Sequence, residues 1–160
     1  MEAGFVIAAG SASIDQGTNQ ISIFSVIEDV GTASFPLAFS CFLCALLRKG
    51  SRENDTIDIR VQATLSGHPE PLVTSPGIPI NFQGKQRARI VAQLSPIVIP
   101  EPGELVLSIL VKNTVIGHWK IQVNKLSSPV NIGLDVATGA TAGAKKVKGS
   151  AKRKKARKRG

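Results

Sequence analysis

Cys41-Phe42-Leu43-Cys44 is the first place in this 160-residue chain where residue type and spacing could do chemistry. A CxxC pair binds a metal, or cycles between thiol and disulfide, when a turn or helix start aims both sulfurs at one point. This pair instead lies inside an apolar run, residues 35–47, that also carries Pro36 and Ser40. On a strand, residues three apart face opposite sides. No second CxxC exists, and His68 and His118 stand alone. The two cysteines therefore read as small buried apolar side chains, and no metal site is expected.

Catalytic constellations are equally hard to assemble. The chain has no GxSxG elbow, no HExxH and no EF-hand loop. Glu28-Asp29 is an adjacent carboxylate pair, but on an extended segment the two diverge into solvent. His68, between Gly67 and Pro69, reads as an exposed turn residue. His118 beside Trp119 could line a pocket, though a strand histidine facing solvent is the more ordinary reading. Gly139-Ala140-Thr141-Ala142-Gly143-Ala144-Lys145 lacks the GxxxxGK[ST] spacing and the flanking strand and helix that cradle a phosphate. The expectation is a non-enzymatic protein with no cofactor.

Charge is the strong signal. The chain holds 20 Lys and Arg against 11 Asp and Glu, net +9. Ten of the bases fall within residues 145–159 with no acid among them: Lys145, Lys146, Lys148, Lys152, Arg153, Lys154, Lys155, Arg157, Lys158 and Arg159. That leaves ten bases against eleven acids over residues 1–144, net −1. A run so dense in like charge repels itself and builds no core, so residues 144–160 are expected to be a disordered tail. Its natural partner is a polyanion, DNA or RNA above all, held by phosphate contacts and counterion release without sequence reading. Val147 and scattered alanines are too few for an amphipathic membrane helix, although anionic headgroups would attract the same charges. In a eukaryote the run would pass as a nuclear-localisation patch. The rival expectation is a tail that meets an acidic protein or aids solubility.

Other classes fall away on composition. No stretch reaches the roughly 18 apolar residues of a membrane-spanning helix. Two cysteines make no disulfide framework. The apolar run 5–9 is shorter than a signal-peptide core, and Glu2 stands where positive charge belongs, so a cytoplasmic setting with reduced thiols is expected and Asn54-Asp55-Thr56 is an idle glycosylation triplet. Six Phe, one Trp and no Tyr, mostly within apolar runs, are a poor supply for a base-stacking or sugar-binding face.

Turn residues cut the rest into strand-sized pieces. Residues 4–14 and 21–27, joined by the turn 15–19, read as an opening hairpin. Residues 28–34 read as a loop, and 36–47 as a strand buried on both sides. After the polar loop 48–55, residues 57–65 alternate apolar and polar without a break. Short strands are expected at 72–74 and 78–82. Residues 87–94 put Ala88, Ile90, Ala92 and Leu94 on one face and Arg87, Arg89 and Gln93 on the other. Pro96, Pro100 and Pro102 mark an irregular crossover. Residues 105–111 and 115–123 close the domain as a hairpin around Lys112-Asn113-Thr114, with Ile116, Trp119, Ile121 and Val123 as core positions and a bulge at Gly117. Eight or nine short strands without a long helix or a repeat predict an all-β, antiparallel, Greek-key-like sandwich over residues 1–126. A flexible Gly/Ala/Ser/Thr linker, 127–143, is expected before the tail.

This order of pieces resembles a family of uncharacterised, mostly bacterial β-sandwich proteins known as a domain of unknown function. The resemblance rests on Ala8-Ala9-Gly10-Ser11-Ala12, on Ile21-Ser22-Ile23-Phe24-Ser25-Val26-Ile27, on the Phe35-Pro36 start of the third strand and on the turn Pro102-Gly103-Glu104. It departs at Leu105-Val106-Leu107, aliphatic where the family has an aromatic strand. It implies the fold and no activity. The whole reading is a sandwich module that meets a protein partner or a second copy of itself, with a basic arm for nucleic acid.

Overall fold

The computed structural model of the chain describes residues 1–15, 17–18 and 20–127. The basic tail, 144–160, and the expected linker beyond residue 127 lie outside the described residues. Ten strands follow one another: β1 (Glu2–Ile14), β2 (Ile21–Val26), β3 (Asp29–Thr32), β4 (Leu37–Arg48), β5 (Thr56–Leu65), β6 (Val73–Thr74), β7 (Ile78–Asn81), β8 (Arg87–Ile99), β9 (Gly103–Val111) and β10 (Thr114–Lys125). They form two sheets. Sheet A has the order β2-β1-β4-β8, and sheet B the order β3-β10-β9-β5-β6 with β7 also paired to β5. The chain is all-β, as expected, and every pairing is antiparallel except β3 with β10.

Period-two alternation sorts the side chains. Phe39, Cys41, Leu43, Ala45 and Leu47 of β4 face Ile59, Val61, Ala63 and Leu65 of β5, Leu105, Leu107 and Ile109 of β9, and Ile121 and Val123 of β10 in one shared core. The expected core positions of the last strand hold, and the register of β9 against β10 slips between Val115 and Gly117, where the bulge was expected.

Three expectations change. Residues 28–34 are not all loop: Asp29–Thr32 is β3, an edge strand parallel to Gln122–Lys125 of β10. Glu28 and Thr32 carbonyls accept from the Gln122 and Leu126 N–H groups, at 2.8 Å each, and Gly31 leaves the room that the Leu126 side chain fills. Residues 95–99 are not an irregular crossover. β8 runs on to Ile99, and Ser95-Pro96 are the two residues that oppose Ser40 in a bulge, where the missing proline N–H costs no ladder bond. The strand count is therefore ten among the described residues instead of eight or nine, with the two short strands trimmed to Val73–Thr74 and Ile78–Asn81.

Sheet A is covered twice. Its face opposite the core carries Phe5, Ile7 and Ala9 of β1 beside Leu46, Cys44 and Phe42 of β4. Ala9 and Cys44 are fully buried on that side. Beyond Ala9, β1 pairs with β2 alone. Continued straight, nine more residues would carry the hairpin turn about 30 Å past Ala9, away from the start of β8. Thr18 of that turn lies instead in a depression with Lys85, Gln86, Arg87 and Arg89, and β1 approaches β8 across β4. The β1–β2 hairpin folds back over the outer face. Ser25, at φ 55°, and Gly10, whose absent Cβ would sit 3.3 Å from the Ser25 Cβ, lie at the bend.

The opposite side of β1 meets β10. A Cβ on Gly117 would fall 2.5 Å from the Ala3 Cβ and 2.8 Å from Val6 Cγ2. The Trp119 indole N–H donates to the Ile27 carbonyl at 2.7 Å and ties β10 to the start of the β3 segment. Gly117→Ala is expected to destabilise the domain by about 1–3 kcal/mol, the cost of overpacking a tight contact. Equilibrium urea unfolding checks it: an unchanged midpoint would mean that the two strands separate freely.

Candidate functional site

The turn between β7 and β8 is built around Phe82, whose ring is buried, and Asp55, from the loop before β5. The Phe82 N–H donates to the Asp55 carbonyl at 2.8 Å. Gln83 and Gly84 then take positive φ, 52° and 73°. The pair, whose backbone is unfavourable for Gln83 and ordinary for a glycine, is held by side chains: Asn81 Oδ1 accepts the Gln83 N–H at 2.8 Å, and both Asp55 carboxylate oxygens accept the Gly84 N–H at 2.9 Å. Lys49 donates its N–H to the Gln86 carbonyl at 3.0 Å and its Nζ to Asp55 Oδ1 at 2.9 Å, 5.5 Å above the Phe82 ring. These bonds fix the path of Lys85 and Gln86 into β8.

The result is an open depression of about 590 Å³ lined by Thr18, Lys85, Gln86, Arg87 and Arg89. No acid lines it. The carboxylates at this end are committed elsewhere: Glu2 to Arg48 at 3.7 Å, Glu53 to the amino terminus and Asp55 to Lys49. Asp15 accepts the Thr18 N–H and hydroxyl at 2.6 and 2.8 Å, and those bonds hold its carboxyl below the usual range. Among the described residues Lys85, Arg87 and Arg89 have no carboxylate within ion-pair reach. Arg87 also stands directly opposite Arg48 on β4, a like-charge pairing that works against the sheet. The Asp55 carboxyl lies below its ordinary value, chiefly through Lys49 and then through the Gly84 N–H.

A second groove, of about 770 Å³, lies where the β4–β5 loop meets the β9–β10 turn. Arg52, Arg60 and Lys112 enter it with Asp58 and Glu53, and Arg60 reaches Asn113 Oδ1 at 3.5 Å. Glu53 is held low by the terminal amine first and the Gly50 N–H second. Thr56 is the sole hydroxyl in its lining, which has neither histidine nor cysteine.

The residues singled out for chemistry are dispersed. Cys41 faces the core and Cys44 the opposite side of β4, both as free buried thiols. Burial pushes the Cys41 thiol up to about 11, with Cys44 adding to it, and burial raises Cys44 as well. His68 is half-buried rather than exposed, because its Nε2 lies 3.1 Å from Glu101 Oε1 in the β8–β9 turn. His118 is exposed on β10 and lines an open depression with Ala3, Phe5 and Val6 of β1, without Trp119, and Glu28 and Asp29 are both exposed. Among the described residues no three His, Cys, Asp or Glu side chains gather as a metal-binding group, and no helix is long and apolar enough to cross a membrane. Lys145, Lys146, Lys148, Lys152, Arg153, Lys154, Lys155, Arg157, Lys158 and Arg159 lie outside the described residues. Sequence reasoning placed Arg87 and Arg89 on one face of a strand; it missed Thr18 and Lys85 beside them, since only the folded-back hairpin brings Thr18 there.

The fold and these surfaces define an all-β sandwich domain whose described residues assemble no recognisable catalytic centre. The chain belongs to the family of unknown function DUF6941, whose model matches residues 4–124 and so spans β1 to β10 almost end to end. No curated protein matches it.

Both thiols are expected to stay silent to Ellman's reagent at pH 8 in the native protein and to react at once in denaturant. Rapid native labelling would place a sulfur at the surface. Asp55→Asn tests the turn. A carboxyl whose folded pKa lies below its ordinary 3.8 stabilises above that pH and loses the contribution as pH falls through the folded value. The variant's urea midpoint should fall below that of the parent at pH 7, and the two should converge below pH 3.8.

Proposed function

We propose that this protein is a non-enzymatic, cytoplasmic sandwich module that binds nucleic acid, or another polyanion, without sequence preference through its basic C-terminal arm. The segregation of charge along the chain carries the reading: ten bases and no acid in residues 145–159, beside a remainder of net −1. Phosphate contacts made by such an arm release counterions, and affinity then falls with salt at a log–log slope of about −0.9 per phosphate on duplex DNA. Neither hydrogen-bond readout nor base stacking is needed for this, which suits a chain with seven aromatic side chains.

A second reading takes the sandwich as a protein-interaction module, with the arm meeting an acidic partner or aiding solubility. Phe24, 57% exposed, and Val26, 49% exposed, favour it, because both lie on β2, an edge strand of sheet A.

Removal of residues 144–160 separates the two. A gel shift of labelled duplex DNA at two salt concentrations should show strong, salt-sensitive binding by the full chain and a loss of at least tenfold on truncation, several phosphate contacts having gone. Equal shifts by both forms refute the arm; no shift by either favours the interaction module.

A further inference from the structure

We propose that the depression between the β1–β2 turn and the start of β8 is a second polyanion site, on the folded body itself, in which Lys85, Arg87 and Arg89 bind phosphates spaced along a nucleic-acid backbone or a polyphosphate chain. It takes its ligand class from the polyanion reading above, but it stands on different residues and on its own geometry.

Three observations carry it. The first is an excess of cations: three share one concavity whose lining has no acid, Glu2, Glu53 and Asp55 at that end are bonded to other cations, and Asp15, which accepts from Thr18 at the rim, is the one acid among the described residues touching a lining residue. The second is spacing. Arg87 and Arg89 lie two residues apart on one face of a strand, about 6.7 Å along it, on the order of the separation of neighbouring phosphates in an extended nucleic-acid backbone, or of every second phosphate in a polyphosphate chain. Guanidinium groups at that interval can each take one phosphate in a fork of two N–H donors. The third is preorganisation. The Asp55, Asn81 and Lys49 bonds fix the Lys85–Gln86 segment before any ligand arrives, so less entropy is lost on binding. Gln86 adds an amide in the same lining, and Thr18 closes the side opposite β8.

Strand-edge protection is the competing account, since β8 is an outer strand of sheet A and edge charges deter pairing with another chain. It does not require the concavity, the fixed turn or Lys85, which precedes the strand.

The experiment compares four full-length proteins: the parent, Arg87→Gln/Arg89→Gln, Lys85→Gln, and Lys125→Gln as a cation on the far sheet. Fluorescence anisotropy is measured against a labelled mixed-sequence duplex DNA over a series of NaCl concentrations. Parallel titrations use inorganic polyphosphate to separate the two sources of phosphate. Each phosphate contact removed should make the salt slope shallower by about 1. The double variant is thus expected to lose about 2 from the slope and Lys85→Gln about 1, with Lys125→Gln unchanged. Loss with DNA only, or with polyphosphate only, identifies which backbone the site takes. Unchanged slopes with both ligands overturn the site, as does a double variant that merely aggregates while Lys85→Gln keeps the parental slope. The same titration on protein lacking residues 144–160 keeps the two readings apart. Arm-dependent binding indifferent to Arg87 and Arg89 refutes this site alone, and binding that survives truncation yet needs the arginines refutes the arm alone.

Discussion

The central stretch of strand β4 is apolar on both of its faces, and the architecture follows from that. Phe39, Cys41, Leu43, Ala45 and Leu47 on one side and Phe42, Cys44 and Leu46 on the other are apolar in both registers of the pleat. Burying a side chain of this size is worth about 1.5–3 kcal/mol, so a second layer over the outer face repays the ordering of a short hairpin. Sheet B covers the first face. The β1–β2 hairpin, bent at Gly10 and Ser25, covers part of the second, and Ala9 and Cys44 are sealed between. The fold-back also carries Thr18 across the sheet to the cations at the start of β8. A packing requirement at the centre of one strand thereby assembles a surface feature from segments some 70 positions apart in the chain, as 18 and 87 are.

What could be read in advance was whatever depends on local alternation. Residues 57–65 alternate cleanly and form β5; residues 87–94 alternate and form most of β8. The divergence of Cys41 and Cys44 follows from strand periodicity alone, and so does the solvent-facing His118. Gly117 was legible because a bulge restores the alternation of Ile116, Trp119, Ile121 and Val123. The unread parts depend on partners distant in sequence. β3 is four residues with one glycine, and only its pairing with β10, over ninety positions away, makes it a strand. Pro96 looked like an end to β8 because its cost depends on whether the partner strand needs that N–H, and at a bulge it does not.

The electrostatic layout divides in the same way. That half the bases lie in residues 145–159 is plain in the sequence; which cations of the body remain unpaired is not. Over residues 1–144 the near-balance of ten bases and eleven acids suggests a body without a charged face. The structure sorts those charges by position. Glu2, Glu53 and Asp55 satisfy Arg48, the amino terminus and Lys49, and the neighbouring Lys85, Arg87 and Arg89 are left over. Net charge is a sum, and a sum hides this separation.

The residues that build the depression are not those that give it charge. Phe82, Asn81, Asp55 and Lys49 supply the buried ring, the amide and carboxylate acceptors and the ion pair that shape the turn. Lys85, Arg87 and Arg89 form no ion pair among the described residues, and Arg87 sits against Arg48 at some cost to the sheet. Edge protection on β8 would be met by a single charge; it gives no reason for a turn with two positive-φ residues held by three side-chain hydrogen bonds immediately beside it. A rigid scaffold that presents cations it does not use for its own stability is the arrangement expected where the missing counter-charge comes from outside the chain.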